Sequence, residues 1–223
     1  MMLMQFRQWL GLALNRVFFL CGCLLLSACQ TSNIKPLDGA ANMRPLVEDD
    51  FSAFYQVYDR YTAWQLRAAF SFVNKTENGQ GKLIWQQSVR NAEPYAEIQL
   101  LGPLGAGAVR VSISPQLSTL QQGKRVYKAP SAQQLMQEIL AWNMPVDALS
   151  YWVFGLPAQS VGGDYQLDDN GDIIQLRQLG WHIQFKQYRQ LDGIELNLPR
   201  KIFATHAQTG TKIRLAVTSL KSS

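Results

Sequence analysis

A chain of 223 residues, 47% hydrophobic and 17% charged, has the length of one ordinary domain with a sizeable core. Lys and Arg (21) exceed Asp and Glu (16) for a formal charge of +5, yet no run of basic side chains marks a nucleic-acid surface. Three cysteines, two of them inside an apolar N-terminal run, leave little room for a disulfide framework or a Cys-based metal site.

The first segment reads as an export signal. Arg7 and Arg16 precede an uncharged run from Val17 to Leu26. That run is shorter than the about 20 apolar residues a permanent membrane helix needs, and a basic n-region before such a run is a secretory signal. Leu26-Ser27-Ala28-Cys29 resembles the bacterial lipobox, which predicts cleavage before Cys29 and lipid on its thiol. A plain signal peptide that happens to contain a cysteine is disfavoured, because charge, run length and tetrapeptide agree. Cleavage removes Cys21 and Cys23, and loss of Arg7 and Arg16 takes the formal charge from +5 to +3. Cys29 is then the one cysteine left, in an oxidising compartment, and the domain must rely on its core. By a family rule of enteric bacteria, Gln30 in place of an aspartate favours the outer membrane. The expected organisation is residues 1–28 signal peptide, 29–48 lipidated N-terminus and flexible linker, and 49–223 the folded domain. Pro36 and Pro45 break regular structure in the linker.

Beyond it, Asp49-Asp50 opens a helix whose Phe51, Phe54, Tyr55, Tyr58 and Tyr61 share one face. The acids suit the positive end of the helix dipole. From Trp64 the period becomes two, with Leu66, Ala68, Phe70 and Phe72 on one side. Asn78-Gly79 marks a turn and Lys82 to Gln87 a strand. Strands follow at Tyr95 to Leu101, Ala108 to Ser114, Leu117 to Gln121 and Arg125 to Lys128. A helical insert carries Leu135, Met136, Ile139 and Leu140 on one face after a Ser131 cap. A second short helix, Val146 to Trp152, ends at Gly155-Leu156-Pro157. The rest is strand: Asp164 to Leu167, Ile173 to Leu179, His182 to Tyr188, Arg200 to Thr205 and Lys212 to Leu220. Short links between strands suit antiparallel pairing. The predicted fold class is mostly β with α, a single curved antiparallel sheet with helices on its concave side.

Catalytic signatures are missing. No Gly-x-Ser-x-Gly elbow and no phosphate loop occurs. His182 and His206 lie in separate strands and read as sheet-face residues. Asp168-Asp169-Asn170-Gly171-Asp172 lacks the spacing of a calcium loop and reads as a solvated hairpin. Glu93, Glu97 and Glu138 are scattered. The expectation is no enzyme, no metal and no cofactor beyond covalent lipid on Cys29.

Two features remain. Large apolar side chains are in excess: Phe70, Phe72, Trp85, Ile98, Leu100, Val109, Val111, Trp152, Trp181 and Phe185. They fit an ordinary filled core, the plainer reading, or a half-filled interior that accepts a hydrophobic ligand. The second is the uncharged loop Leu101-Gly102-Pro103-Leu104-Gly105-Ala106-Gly107. Turns usually hold polar residues, so Leu104 either folds back to the core or meets a membrane or partner.

Several segments together resemble the outer-membrane lipoprotein receptor LolB family. They are the lipobox at Leu26 to Cys29, Trp64-Gln65-Leu66-Arg67, Ile84-Trp85-Gln86-Gln87, Pro103-Leu104-Gly105, Trp152-Val153-Phe154-Gly155-Leu156-Pro157 and Asp164-Tyr165-Gln166-Leu167-Asp168-Asp169. They keep the family's order over most of residues 64 to 170, and the Trp-x-x-Gly-Leu-Pro piece is the most specific. Beyond residue 170 the likeness is mainly strand pattern. The resemblance implies an unclosed barrel with a helical lid, as in LolA and LolB. It implies a monomeric receptor on the periplasmic face of the outer membrane. Such a receptor takes lipoprotein cargo from the periplasmic carrier LolA, holds its acyl chains in an apolar cavity and inserts them into outer-membrane lipid without nucleotide. It assigns membrane insertion to Leu104, flanked by Pro103 and Gly105. The competing readings are a structural or envelope-assembly lipoprotein that acts only through protein contacts, and a periplasmic enzyme, which would need a convergent polar site.

Overall fold

The computed structural model describes residues 42–103, 107–140, 144–191 and 193–222. Alternating apolar residues dictate its strands. In β2 (Trp64–Val73), Trp64, Leu66 and Ala68 are buried while Arg67 and Ala69 are exposed. The same alternation runs through β3 (Asn78–Arg90), β4 (Glu93–Leu101), β5 (Val109–Ile113), β6 (Ser118–Gln122) and β7 (Arg125–Ala129). These six strands form one meander.

A second meander comprises β8 (Gly163–Leu167), β9 (Ile173–Gln178), β10 (Trp181–Gln190), β11 (Asn197–His206) and β12 (Lys212–Ser222). The last strand, β12, pairs antiparallel with β2 from Lys212↔Val73 to Ser222↔Trp64. That pairing fuses the meanders into one 12-stranded sheet, with β1 (Arg44–Pro45) beyond β8 at one edge and β7 at the other. All pairings are antiparallel, as the short links require. Inner residues of every strand from β2 to β12 join one apolar cluster, so the sheet bends around a common interior without closing.

Helices cover that interior. The α1 helix (Ser52–Tyr58) follows a 3-10 turn at Glu48–Phe51, which holds the expected acids. It is shorter than its aromatic face implied: Phe51 and Tyr55 are buried, Phe54 is exposed, and Tyr61 lies past the helix end. The α2 helix (Ala132–Leu140) packs on β5, β6 and β7, and Ser131 Oγ accepts the Gln134 N–H as its cap. The α3 helix (Val146–Trp152) buries Val146, Ala148, Leu149 and Trp152. Its end is a Schellman motif. Leu156 N–H reaches Tyr151 O, Gly155 N–H reaches Trp152 O, and Gly155 takes φ +74. A Cβ at Gly155 would also sit 2.8 Å from the Tyr188 hydroxyl, so both backbone and space demand glycine.

One turn is misplaced by the sequence pattern. Asn78 and Gly79 lie inside β3, opposite Val73 and Phe72. The chain reverses earlier, at Asn74–Glu77, where Asn74 Oδ1 accepts the N–H groups of Thr76 and Glu77. Gly79 is there because the Phe72 ring lies on it, 2.3 Å from where a Cβ would stand. Arg44 and Pro45, within the span expected to be linker, pair with Tyr165 and Asp164.

Candidate functional site

The inner faces of β2, β3, β4 and β12 meet the lid over an apolar void. Phe70, Phe72, Leu83, Trp85, Ile98, Leu100, Ile213 and Leu215 come from the sheet. Met136, Met144, Val146 and Leu149 come from α2, α3 and the segment between. The enclosed volume is about 20 Å³, room for little more than one water, and its exposed lining is wholly apolar.

This void opens sideways. Phe70, Phe72 and Leu100 also line a wider recess of about 450 Å³, bounded by Gly79, Val109 and, from the β4–β5 loop, Gly102, Pro103 and Gly107. Two positions of β3 beside the recess carry no side chain, and Gly79 lines it. Gly79 and Gly81 face Phe72 and Phe70 across the ladder. At Gly81 a Cβ would stand 2.0 Å from the Leu101 carbonyl oxygen, which also explains why only glycine fits there.

Five of the ten apolar residues expected in a cavity (Phe70, Phe72, Trp85, Ile98 and Leu100) therefore line the void, and Val109 lines the recess. Val111 is fully buried beside them in β5 without lining either space. Trp152, Trp181 and Phe185 are placed elsewhere, in a solid part of the core against β9 and β10. Trp152 and Trp181 lie 6.5 Å apart. Trp152 Nε1 donates to Gln178 Oε1 at 3.2 Å. Gln178 itself is buried and also accepts from Ala158 N–H and donates to the Ala158 and Val161 carbonyls. Aromatic character predicted burial correctly there, but not which part of the interior each ring would join. Periodicity had marked Met136 as inward; Leu83, Met144, Ile213 and Leu215 were missed, the last two because the pairing of β12 with β2 joins residues far apart in sequence.

Rings also hold the Trp-x-x-Gly-Leu-Pro turn to α1. Phe154 packs against Tyr58 at 4.9 Å and Trp64 at 5.6 Å. The Tyr55 hydroxyl donates to Pro157 O at 3.2 Å. Burial pushes the Tyr55 and Tyr58 phenols up to about 12, and the Tyr55 hydroxyl stays a neutral donor to Pro157.

The polar residues considered for chemistry are dispersed. The His182 ring sits 3.2 Å from Gln175 Oε1, and burial with the nearby Arg177 charge lowers its pKa. His206 is buried edge-on to Trp181 at 5.1 Å. Asp168 Oδ1 accepts from Asn170 and Asp172 N–H groups within a hairpin turn. Glu97 lies 3.4 Å from Arg110. Among the described residues no group of three or more His, Cys, Asp or Glu side chains converges, and no helix is long and apolar enough to cross a membrane. Pro103 is exposed at the recess rim. Cys29 with its lipobox, Leu104 and Gly105 lie outside the described residues.

Comparison with known proteins agrees with this architecture. The family model described as outer membrane lipoprotein LolB matches residues 62–219. An outer-membrane lipoprotein LolB of Chromohalobacter salexigens is 30% identical over 91% of this chain and 85% of its own length. One from Cellvibrio japonicus is 35% identical over 76% of this chain and 84% of its own. A putative outer membrane lipoprotein-sorting protein domain from Vibrio parahaemolyticus shares the fold at TM-score 0.50 and 12% identity, over 76% of this chain and 90% of that one. A single open antiparallel sheet under short helices, the Trp152–Pro157 turn and a family match across nearly the whole sheet lead to one assignment: the chain belongs to the LolB family of outer membrane lipoproteins.

Proposed function

We propose that this chain is a receptor of lipoprotein localisation, held at the periplasmic face of the outer membrane by lipid on Cys29. It accepts lipoproteins from the carrier LolA, shelters their acyl chains under the lid and delivers them to the bilayer. The observation that carries this reading is the wholly apolar void beneath Met136, Met144, Val146 and Leu149, continuous through Phe70, Phe72 and Leu100 with the recess beside Pro103.

Physical chemistry makes the role coherent. Each CH₂ withdrawn from water is worth about 0.8 kcal/mol, so several acyl chains cannot cross the periplasm uncovered. At about 20 Å³ the void is far below the about 300 Å³ of a small-molecule pocket. Cargo must therefore move the lid away from β2–β4. Methionine suits a wall that repacks around different chains. Transfer from carrier to receptor to bilayer runs downhill if each holds the chains better than the last, and no nucleotide or catalytic step is needed. Leu104, next to Pro103 in the segment between β4 and β5, meets the membrane as the chains leave.

A fluorescent acyl probe tests the cavity: saturable binding that lipoprotein displaces is the expected result. The absence of binding would favour the second reading, an envelope lipoprotein with a filled core, which the small volume of the enclosed void supports. Leu104→Glu tests the loop. The variant should fold and accept lipoprotein but deliver it to membranes at least about tenfold more slowly, and normal delivery would remove the loop from the mechanism.

A further inference from the structure

The outer face of the sheet carries its charge unevenly. Among the described residues, β10, β11, β12, β2 and β3, neighbours in that order, hold no Asp or Glu. Lys186, Lys201, Lys212, Arg214, Arg67 and Lys82 are exposed on these strands, each next in sequence to a buried residue of the core. None of them makes an ion pair; the ion pairs among the described residues join Arg60 to Glu195 and Arg110 to Glu97. Lys186 and Lys201 stand directly opposite each other on β10 and β11. Lys186 Nζ and Arg214 Cζ both lie over the Phe203 ring, 5.6 and 6.0 Å from its centre.

Like charges directly opposite across a ladder destabilise it, and an ordinary solvated surface mixes both signs. Lysine also blunts exposed sheet edges, but β10 and β11 lie inside the sheet. The unbalanced cations therefore call for anions from outside the fold. Five strands about 4.8 Å apart spread them over roughly 20 Å, wider than one small anion. The face is the convex outside of a sheet bent around its interior. An extended anionic surface fits it, and a small ligand does not.

We propose that this face docks on a bilayer surface bearing anionic phosphate headgroups, so that the domain lies on the back of its sheet. The inference rests on the lipid anchor at Cys29 proposed above and adds how the anchored domain is oriented. The described chain begins at Asn42, and β1 pairs with β8, on the β10 side of the sheet. The chain from Cys29 to Asn42 spans at most about 45 Å. An anchored domain therefore never leaves the reach of its membrane, whereas an acidic protein would have to be recruited. Cations held near an anionic leaflet are attracted to it within a Debye length. The basic face also runs to the base of the β4–β5 loop, where Lys82 pairs with Leu101, close to Pro103 in sequence. Docking on the back thus brings that loop to the same bilayer.

The mature lipidated chain, its Cys29 thiol blocked by lipid, is labelled with a fluorophore at Ala216→Cys and reconstituted in vesicles that carry a headgroup quencher. Ala216 is exposed on β12, opposite Lys201. Phosphatidylcholine vesicles with about 30% phosphatidylglycerol should quench this label about threefold more than phosphatidylcholine alone, and high salt should remove the difference. A label at Ser112→Cys, opposite Glu97 on β4, should be quenched alike in both vesicles. In a chain that also carries Lys186→Gln and Lys201→Gln, the Ala216→Cys label should lose most of its dependence on phosphatidylglycerol. That chain should fold at least as stably, since it loses two opposed like charges, so the change does not reflect unfolding. Equal quenching of the Ala216→Cys label in the two vesicles, or an equal gain at Ser112→Cys, overturns the inference and leaves the anchor standing. Failure of the chain to float with either vesicle overturns both. If soluble polyglutamate shifts the emission of the Ala216→Cys label while phosphatidylglycerol does not quench it, the face serves an acidic protein and the bilayer assignment falls.

Discussion

The two halves of the interior use the same residue types to opposite ends. Against β9 and β10, Trp152, Trp181 and Phe185 are locked: each is 1–2% exposed, and Gln178 uses both its amide oxygen and its amide nitrogen on Trp152, Ala158 and Val161. Beside that region Arg60 meets Glu195 through two hydrogen bonds, and the Tyr61 hydroxyl accepts the Glu195 N–H. Over β2–β4 the lining includes Phe70, Phe72 and two methionines, and the indole N–H of Trp85 is unpaired. One part ties Trp152, Ala158 and Val161 together through the buried Gln178 amide. The other is built from side chains that tolerate rearrangement. The proposed function calls for both: a packed part that keeps the open sheet curved, and a part that yields to acyl chains.

The sharpest way to break this contrast is to cut into the solid half. Trp152→Ala should cost about 3–5 kcal/mol in chemical unfolding, because it opens a cavity and removes one of the two donors to Gln178 Oε1. Gln178→Ala should cost about 2–3 kcal/mol, since it leaves the Trp152 and Ala158 N–H groups and the Val161 carbonyl without partners. The yielding half should respond far less: Met136→Leu should stay within about 1.5 kcal/mol of wild type while slowing entry of an acyl probe, because a branched side chain repacks less readily. A loss at Met136 as large as that at Trp152 would erase the distinction between the halves.

Much of this architecture could be read from periodicity alone. Alternation of Leu66, Ala68, Phe70 and Phe72, or of Val109, Val111 and Ile113, marks strands because one face must be dry. Ser131 and Gly155 announced helix ends through capping chemistry that acts over a few residues. Non-local facts were harder. Ile213 and Leu215 line the void only because β12 returns to β2, and no local pattern encodes that partner. Asn78-Gly79 looked like a turn because that dipeptide favours one. Close approach of the Phe72 ring is a second reason for a glycine, and here it is the operative one. Trp85 and Trp152 look alike in sequence as buried tryptophans. Their difference lies in whether a glutamine twenty-six residues downstream of Trp152 reaches the ring nitrogen.

The smallest expected effect lies on the rim of the solid half, at His182. Its ring is half-buried in β10, beside Gln175 and near the Arg177 charge, and burial followed by that charge lowers its pKa from the usual 6.5. The unfolded chain then binds a proton more readily than the folded one. Stability from this group is complete above the unfolded value and is lost as pH falls below 6.5 toward the depressed folded value. Wild-type protein should therefore unfold at a slightly lower denaturant concentration at pH 5 than at pH 7, by an amount that His182→Gln reduces. A glutamine keeps a hydrogen-bonding group opposite Gln175 without a titrating proton. If the pH 5 to pH 7 difference is the same in the variant, the acid sensitivity resides in the carboxylates, and the rim of the solid half is as indifferent to charge as its centre.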